Sequence, residues 1–243
     1  MVALVLVHSP LVGPFTWALV AQELERRHMK AVVPSLLSAP DSTIPYWMQH
    51  AHTVANSFQA LPPSEQVILV AHSGAGMLLP AIREASGRQI DGYIFVDAGL
   101  PQDGKSRLDL FDKYAGEQLR RSAVRGLLPI WTDEDLVEVI PDPQIRARFV
   151  ADLRPLPIAV YQEPLPVPAA WPDAPCAFVA FTNGEGYVYQ DVLNHAEQQG
   201  WPCVKIEGMH FHMLVDPVAV TDALLSVTTQ MGLATMGDGA PYG

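Results

Sequence analysis

The chain has 243 residues, of which 49% are hydrophobic, so it can form one large globular domain with a full core. Its 15 basic and 26 acidic residues give a formal net charge of −11, which argues against nucleic acid and anionic membranes as partners. Both cysteines, Cys176 and Cys203, lie in apolar runs without metal-ligand spacing. We therefore expect buried reduced thiols, no metal site and no cofactor.

An apolar run over residues 2–7 opens the chain and predicts a buried strand. The run is too short for the apolar region of a signal peptide or for a membrane span, and it ends at His8-Ser9-Pro10. From this we expect a cytoplasmic protein.

Strands and helices alternate along the first hundred residues. Short apolar runs predict strands over 2–7, 30–34, 67–71 and 92–97. Helical spacing of apolar residues predicts helices over 16–27, 46–61, and after Gly76 to about Ser86. This order predicts an α/β fold class with a mostly parallel, doubly wound sheet.

The alternation stops between Pro101 and Pro175. This segment contains helical pieces, clearest over 133–140 and 143–153, and no convincing strand. We interpret residues 101–175 as a helical cap inserted over the strand ends of a single domain, 1–243. The alternation resumes with a strand over 176–182, a helix over 187–199, a strand over 203–206 and a helix from 217 to about 231.

The stretch Ala71-His72-Ser73-Gly74-Ala75 follows a buried strand and leads into a glycine-rich helix start. A strand, a sharp corner and a helix would expose a serine hydroxyl at the carboxyl end of the sheet and require small residues two positions away on either side. This arrangement is the nucleophile elbow, with alanines where glycines are usual. The alternative is a serine that caps a helix after a strand.

A nucleophilic serine needs a general base within hydrogen-bond reach. The loop Gly208-Met209-His210-Phe211-His212 follows the last predicted strand, at the same sheet edge as Ser73. His210 and His212 are both candidates, and either could instead cap the next helix. We interpret His8 as a brace for its loop, and four other histidines as core or surface residues: His28, His50, His52 and His72.

These features resemble the α/β-hydrolase fold family, and in particular its branch of small esterases and hydroxynitrile lyases. The resemblance covers nearly the whole chain and rests on the order of a first strand, its following loop, the elbow, the cap and the final histidine loop: His8, Trp17, Ser73, 101–175, Gly208, His210 and Pro217. In that family a proline commonly follows the base seven positions later, and an aromatic residue or Met follows it directly. His210, followed by Phe211 and Pro217, fits this spacing, and His212 does not.

The resemblance also implies an acid that orients the histidine and an oxyanion hole. The acid usually follows the strand after the cap, where Glu185 lies, although some members take it from the earlier strand that ends at Asp97. The two alternatives stay open. One oxyanion donor would be the Gly74 N–H, and the other would come from the first loop, where Pro10 has no N–H and Leu11 N–H or the Ser9 hydroxyl could substitute.

The leading hypothesis is a serine hydrolase of a small to medium, largely apolar ester, thioester or lactone. The alternatives are a non-hydrolytic elimination or cyclisation of a natural-product intermediate, and a non-catalytic ligand-binding protein of the same fold. In each case the partner is a small molecule; the oligomeric state stays open, and a homodimer is compatible with the sequence. We expect cap aromatics to line the pocket: Trp131, Tyr161 and Trp171.

Overall fold

A computed structural model describes residues 1–36, 42–111, 113–182 and 187–233. Ten strands lie within these ranges: β1 (Val2–Val7), β2 (Lys30–Val32), β3 (Gln66–His72), β4 (Gly92–Val96), β5 (Lys105–Ser106), β6 (Leu127–Leu128), β7 (Leu156–Pro157), β8 (Pro164–Leu165), β9 (Cys176–Thr182) and β10 (Cys203–Glu207). The α-helices in the same ranges are α1 (Phe15–Arg26), α2 (Tyr46–Ser57), α3 (Leu79–Ser86), α4 (Lys113–Ser122), α5 (Pro143–Asp152), α6 (Ala159–Gln162), α7 (Gln190–Gln198) and α8 (Pro217–Gln230).

Six strands form one sheet in the order β10-β9-β4-β3-β1-β2, and every neighbouring pair is parallel. The predicted doubly wound parallel sheet is therefore confirmed. Because all six strands run in the same direction, their carboxyl ends meet at one edge, which is where such sheets place their ligand sites.

The apolar strands are buried on both faces. Along β1, alternate side chains enter two different cores: Ala3, Val5 and Val7 pack on the side of α2, α3 and α7, and Val2, Leu4 and Leu6 pack on the side of α1 and α8. This explains why the strands read as continuous apolar runs, since neither face of the sheet meets water.

Several helix ends follow local sequence rules. The Asp216 side chain accepts a hydrogen bond from the Ala219 N–H, and Pro217 occupies the first turn of α8. The Asp142 side chain caps α5 in the same way, again with a proline directly after it. Helix α3 ends at Gly87, whose φ of +62° is a conformation that glycine adopts without strain.

The segment between β4 and β9 differs from the expectation of helices alone. Two antiparallel pairs, β5 with β8 and β6 with β7, join distant parts of this segment. The expectation of no strand was wrong because each of these strands has two residues, too few for alternation to show in the sequence. The predicted helix over 133–140 is also wrong, since a 3₁₀ turn over Glu134–Leu136 lies there instead.

In the described part of the chain, no helix combines the length and the apolar character needed to cross a membrane.

Candidate active site

Ser73 lies at a sharp corner after strand β3. Its φ is +57°, in the left-handed region that residues with a side chain rarely adopt, and a 3₁₀ helix over Ser73–Leu78 follows directly. Such a conformation costs on the order of 1–3 kcal/mol and persists only where surrounding structure holds it. Within the described residues, no side chain caps the start of this helix.

Close packing around the corner explains its small residues. Ala71 and Ala75 are fully buried on either side of Ser73. A Cβ atom added to Gly76 would lie 2.1 Å from the carbonyl oxygen of Gly99, so only glycine fits where the helix start crosses the chain after β4. The pattern of small residues is thus a packing requirement of the corner.

The structure brings together Asp97 and His210. His210 Nδ1 lies 2.5 Å from Asp97 Oδ2, although 113 residues separate the two along the chain. Asp97 directly follows β4 and is 3% exposed, and its φ of +46° is again in the left-handed region. Because an ionised carboxylate only accepts hydrogen bonds, Nδ1 is the donor, and Nε2 of the neutral imidazole is left as the proton acceptor.

Two further donors hold the Asp97 carboxylate. The backbone N–H of Phe181 donates to Oδ1 at 3.1 Å, and the Tyr187 hydroxyl donates to the same oxygen. Burial, together with the neighbouring carboxylate, raises the pKa of Tyr187 above its ordinary value, so this hydroxyl keeps its proton and stays a donor. Asp97 is therefore held by two donors, a backbone N–H of β9 and a tyrosine hydroxyl, in addition to its contact with the histidine.

The other acid candidate, Glu185, lies outside the described residues. The other histidine candidate, His212, begins a 3₁₀ turn over His212–Leu214 and packs its ring 5.7 Å from the ring of Phe181. Its ring also fills the space beside Gly208, where an added Cβ would lie 2.3 Å from His212 Nδ1. Of the two histidines, His210 is the one beside the carboxylate.

Two histidines assigned no catalytic role are buried close to the site. His72, the last residue of β3, donates from Nε2 to the carbonyl oxygen of His210 at 2.9 Å. Burial, and secondarily the nearby His210, holds the pKa of His72 well below 6.5, so it is neutral. His8 contacts the carbonyl oxygen of Ser9 through Nδ1 and accepts the Leu36 N–H at Nε2, so it braces its loop.

The candidate oxyanion residues Ser9, Pro10 and Leu11 differ in where they lie relative to Gly74 and Ser73. A Cβ added to Gly74 would lie 3.1 Å from the Tyr161 hydroxyl and 3.5 Å from Ser9 Oγ. Leu11 lines the same cavity as Ser73, while Pro10 lines a second cavity of about 520 Å³. Ser9 is therefore close to the elbow, whereas Pro10 is among the residues that line the second cavity.

A fully buried arginine from the cap supports the same corner. Arg107 Nε donates to the Gly74 carbonyl oxygen at 2.9 Å, and Nη1 donates to the Val160 carbonyl oxygen at 3.0 Å. Burial lowers the pKa of the Arg107 guanidinium to about 10, so the group still carries its positive charge at neutral pH.

A cavity of about 1040 Å³ opens above the elbow, and Ser73, Asp97 and His210 all line it. Most of its wall comes from the cap and is apolar or aromatic: Phe111, Leu119, Leu128, Ile130, Trp131 and Tyr161. Trp171, which was expected to line the pocket, packs instead against Tyr93 with ring centroids 4.2 Å apart. Within the described residues, no group of three or more His, Cys, Asp or Glu side chains is placed to hold a metal ion.

Sequence reasoning missed three residues that contact the site: Arg107, Tyr187 and Tyr189. No sequence motif marks Arg107, and its contact with Gly74 depends on how the cap folds back over the elbow. The two tyrosines do carry a signal, because Tyr187-Val188-Tyr189 follows the loop after β9, at the edge of the sheet where Ser73 lies. The Tyr189 ring stacks beside that of His210 with centroids 5.9 Å apart.

Comparison with known families identifies the class of protein. Residues 4–223 match the model of the alpha/beta hydrolase family. The match spans most of the chain and includes Ser73, Asp97 and His210. The chain therefore belongs to the alpha/beta hydrolase family.

Individual relatives give a similar picture. Methylesterase 1 of Arabidopsis thaliana is 30% identical over 128 residues, which are 50% of this chain and 48% of that protein. Matches to the curated relatives span about a quarter to a half of their length. An extracellular alpha/beta-hydrolase from a Paenibacillus species superposes with a TM-score of 0.76 at 17% identity, over 93% of this chain and 99% of that one. Tomato methylketone synthase I superposes with a TM-score of 0.71 at 18% identity, over 94% and 98%.

Proposed function

We propose that this protein is a serine esterase that hydrolyses a small to medium, largely apolar carboxylic ester. The observation that carries the proposal is the 2.5 Å contact between His210 Nδ1 and Asp97, in the cavity that Ser73 lines. The strained backbone of Ser73 adds support, since such strain clusters at functional sites.

In this proposal each residue has one task. Ser73 Oγ attacks the ester carbonyl carbon while His210 Nε2 takes the hydroxyl proton, and the Gly74 N–H donates to the developing oxyanion. His210 then returns the proton to the leaving alcohol, which leaves an acyl-enzyme. A water molecule, activated by the same nitrogen, releases the acid. Asp97 holds the imidazole in the correct tautomer and stabilises its cation without taking the proton.

The cavity and the relatives support the proposed substrate class. A volume of about 1040 Å³ with an apolar, aromatic wall suits an acyl group larger than acetate and without a charge. The relative in Arabidopsis is named a methylesterase, so methyl esters of apolar acids are the first substrates to test. Thioesters and lactones of similar size offer the same carbonyl to Ser73 and belong in the same panel.

The test is a panel of methyl esters with acyl groups of increasing size, followed by kcat/KM for wild type, Ser73→Ala and Ser57→Ala. Ser73→Ala is expected to lose several orders of magnitude with an unchanged thermal melt, because triad members act as a unit. Ser57 is exposed on α2 and serves as the matched control. A Ser73→Ala variant that keeps the wild-type rate would refute the proposal.

A second candidate is non-hydrolytic chemistry on the same scaffold, such as elimination or cyclisation. The observation that favours it is Pro10, since an oxyanion hole that lacks one donor disfavours tetrahedral intermediates. Labelling by a fluorophosphonate probe separates the candidates. Labelled Ser73 with ester turnover supports hydrolysis, whereas turnover of a non-ester substrate without an acyl-enzyme supports the second candidate. Ligand binding with neither labelling nor turnover would point to a binding protein.

A further inference from the structure

A pair of hydroxyl groups lies close to Gly74, the residue whose N–H is the proposed first oxyanion donor. The Tyr161 hydroxyl and Ser9 Oγ are 3.3 Å apart and form a buried hydrogen bond, although 152 residues separate them. Both lie close to Gly74, at 3.1 and 3.5 Å from the position that an added Cβ would occupy. Glycine at position 74 therefore leaves room for a phenol to approach the residue whose N–H is the first oxyanion donor.

The two hydroxyls are not equivalent. Both residues are almost fully buried, with Tyr161 2% and Ser9 3% exposed, but only Tyr161 is among the residues that line the cavity with Ser73. A hydroxyl group donates one hydrogen bond and accepts others. The arrangement in which Ser9 donates to the Tyr161 oxygen leaves the phenolic proton free to point into the cavity.

We propose that the Tyr161 hydroxyl is the second oxyanion donor of this enzyme and takes the place of the backbone N–H that Pro10 lacks. The inference rests on the proposed function, because an oxyanion forms only if Ser73 attacks a carbonyl group. A phenol is a stronger acid than a serine hydroxyl, so of the two it donates the stronger hydrogen bond to an anion.

Arg107 positions both donors. Its guanidinium bonds the carbonyl oxygens of Gly74 and Val160, the residue directly before Tyr161. A single buried cation thus holds the elbow and the tyrosine together beside the site of the developing negative charge. Burial raises the pKa of Tyr161, against smaller opposing effects of the Ser9 hydrogen bond and the Arg107 charge, so the hydroxyl keeps the proton that a donor needs.

The test compares wild type with Tyr161→Phe, first in turnover of the best methyl ester. Loss of an oxyanion donor is expected to lower kcat by ~10²–10³-fold and to leave KM nearly unchanged. The second measurement uses a trifluoromethyl ketone of the same acyl chain. Ser73 Oγ adds to its carbonyl carbon, the Ser73 proton passes to His210, and the carbonyl oxygen becomes an oxyanion.

The affinity of Tyr161→Phe for this ketone should fall by about the same factor as kcat, whereas the affinity for the product acid should stay within about threefold. Tyr93→Phe is the matched control, since it removes another buried phenol hydroxyl, one that bonds Asp173 away from the cavity. If Tyr161→Phe retains wild-type kcat and ketone affinity, the inference is wrong. If wild type itself neither turns over esters nor binds the ketone, the proposed function is what fails.

An isosteric change keeps the inference testable should Tyr161→Phe not fold. Site-specific incorporation of 3,5-difluorotyrosine at position 161 retains the ring and the hydroxyl and makes the phenol more acidic. A phenolate cannot donate a hydrogen bond, so kcat/KM should fall at high pH once Tyr161 loses its proton. In the fluorinated enzyme this fall should begin at a lower pH than in wild type. An unchanged pH profile would overturn the inference, since a purely structural tyrosine would not move it.

Discussion

His72 Nε2 donates a hydrogen bond to the backbone carbonyl oxygen of His210, 2.9 Å away. The rings of the two histidines also contact each other, with centroids 4.4 Å apart. His72 is the residue directly before the elbow serine, so this bond ties the loop of the proposed base to the strand of the proposed nucleophile. Because His72 is buried and neutral, its ring does not take up the proton that His210 is proposed to accept.

Replacing His72 by Phe is therefore expected to impair catalysis more than folding. The ring volume is retained, but the bond to the His210 loop is lost, and a displacement on the order of 1 Å at a reacting group can lower rates by about 10²-fold. The measurement is kcat/KM together with a thermal melt. His52→Phe is the control, because His52 is an exposed histidine of α2. A His72→Phe enzyme with the wild-type rate would show that the His210 loop holds its position without this bond.

The two histidines of the last loop should separate clearly by mutation. His210→Ala is expected to be as damaging as Ser73→Ala, since both act in the same proton transfer. His212→Ala should retain most of the activity, because His212 packs against Phe181 and is not beside Asp97. Initial rates on one ester suffice for the comparison. The reverse order of damage would assign the base to His212.

The two candidate acids, Asp97 and Glu185, should also be separated by mutation. Asp97→Asn should lower kcat by roughly 10⁴-fold, the loss typical of a triad acid replaced by its amide, because the amide stabilises the wrong tautomer of His210. Glu185→Gln should change kcat little if Asp97 is the acid. Rates measured across pH 6–9 test both variants under the same conditions. If Glu185→Gln is the damaging variant and Asp97→Asn is not, the 2.5 Å contact between Asp97 and His210 is structural rather than catalytic.

The parallel sheet could be predicted because its strands are continuous apolar runs with helices between them. That His210 lies near Ser73 could also be predicted, because each follows a strand of this parallel sheet and the carboxyl ends of such strands meet at one edge. Asp97 and Glu185 could not be separated, because each follows a strand that ends at that edge. In the structure Asp97 contacts His210 and is held by Phe181 and Tyr187, whereas Glu185 lies outside the described residues.

The cap was far less predictable. Arg107 and Tyr161 contact residues 33 and 152 positions away, and no local pattern encodes such contacts. The two-residue strands that close the cap are equally invisible to periodicity. A buried arginine without a motif reads in the sequence as an ordinary surface residue.

Pro10→Ala should raise activity on a small activated ester such as p-nitrophenyl acetate. The substitution restores a backbone N–H between Ser9 and Leu11, and one oxyanion donor contributes about 2.7–4 kcal/mol. The gain should be below that value, because alanine also loosens the loop. It should be larger in a Tyr161→Phe background than in wild type, where the phenol already donates. A wild-type enzyme slowed by Pro10→Ala would show that the loop depends on the proline ring.

Acid should destabilise the protein through His8. Burial lowers the pKa of His8 to about 4, from an ordinary value of 6.5. Its neutral ring is held by two bonds, with Nδ1 contacting the Ser9 carbonyl oxygen and Nε2 accepting the Leu36 N–H. If Nε2 were protonated, its N–H would face the Leu36 N–H, and two donors would point at each other. The unfolded chain therefore binds a proton at this residue before the folded protein does.

The contribution of His8 is fully present above pH 6.5 and is lost as the pH falls from 6.5 towards 4. Since one pH unit of pKa difference corresponds to about 1.4 kcal/mol, the loss amounts to ~3 kcal/mol by pH 4. His8→Gln keeps a donor and an acceptor but cannot titrate, so its free energy of unfolding should fall less steeply across this window. Urea unfolding of both proteins at pH 7.5, 6, 5 and 4 gives the comparison, in which other titrating groups cancel. Parallel curves for the two proteins would mean that the folded protein binds a proton at His8 as readily as the unfolded chain does. The bond from Leu36 to His8 would then not hold in solution.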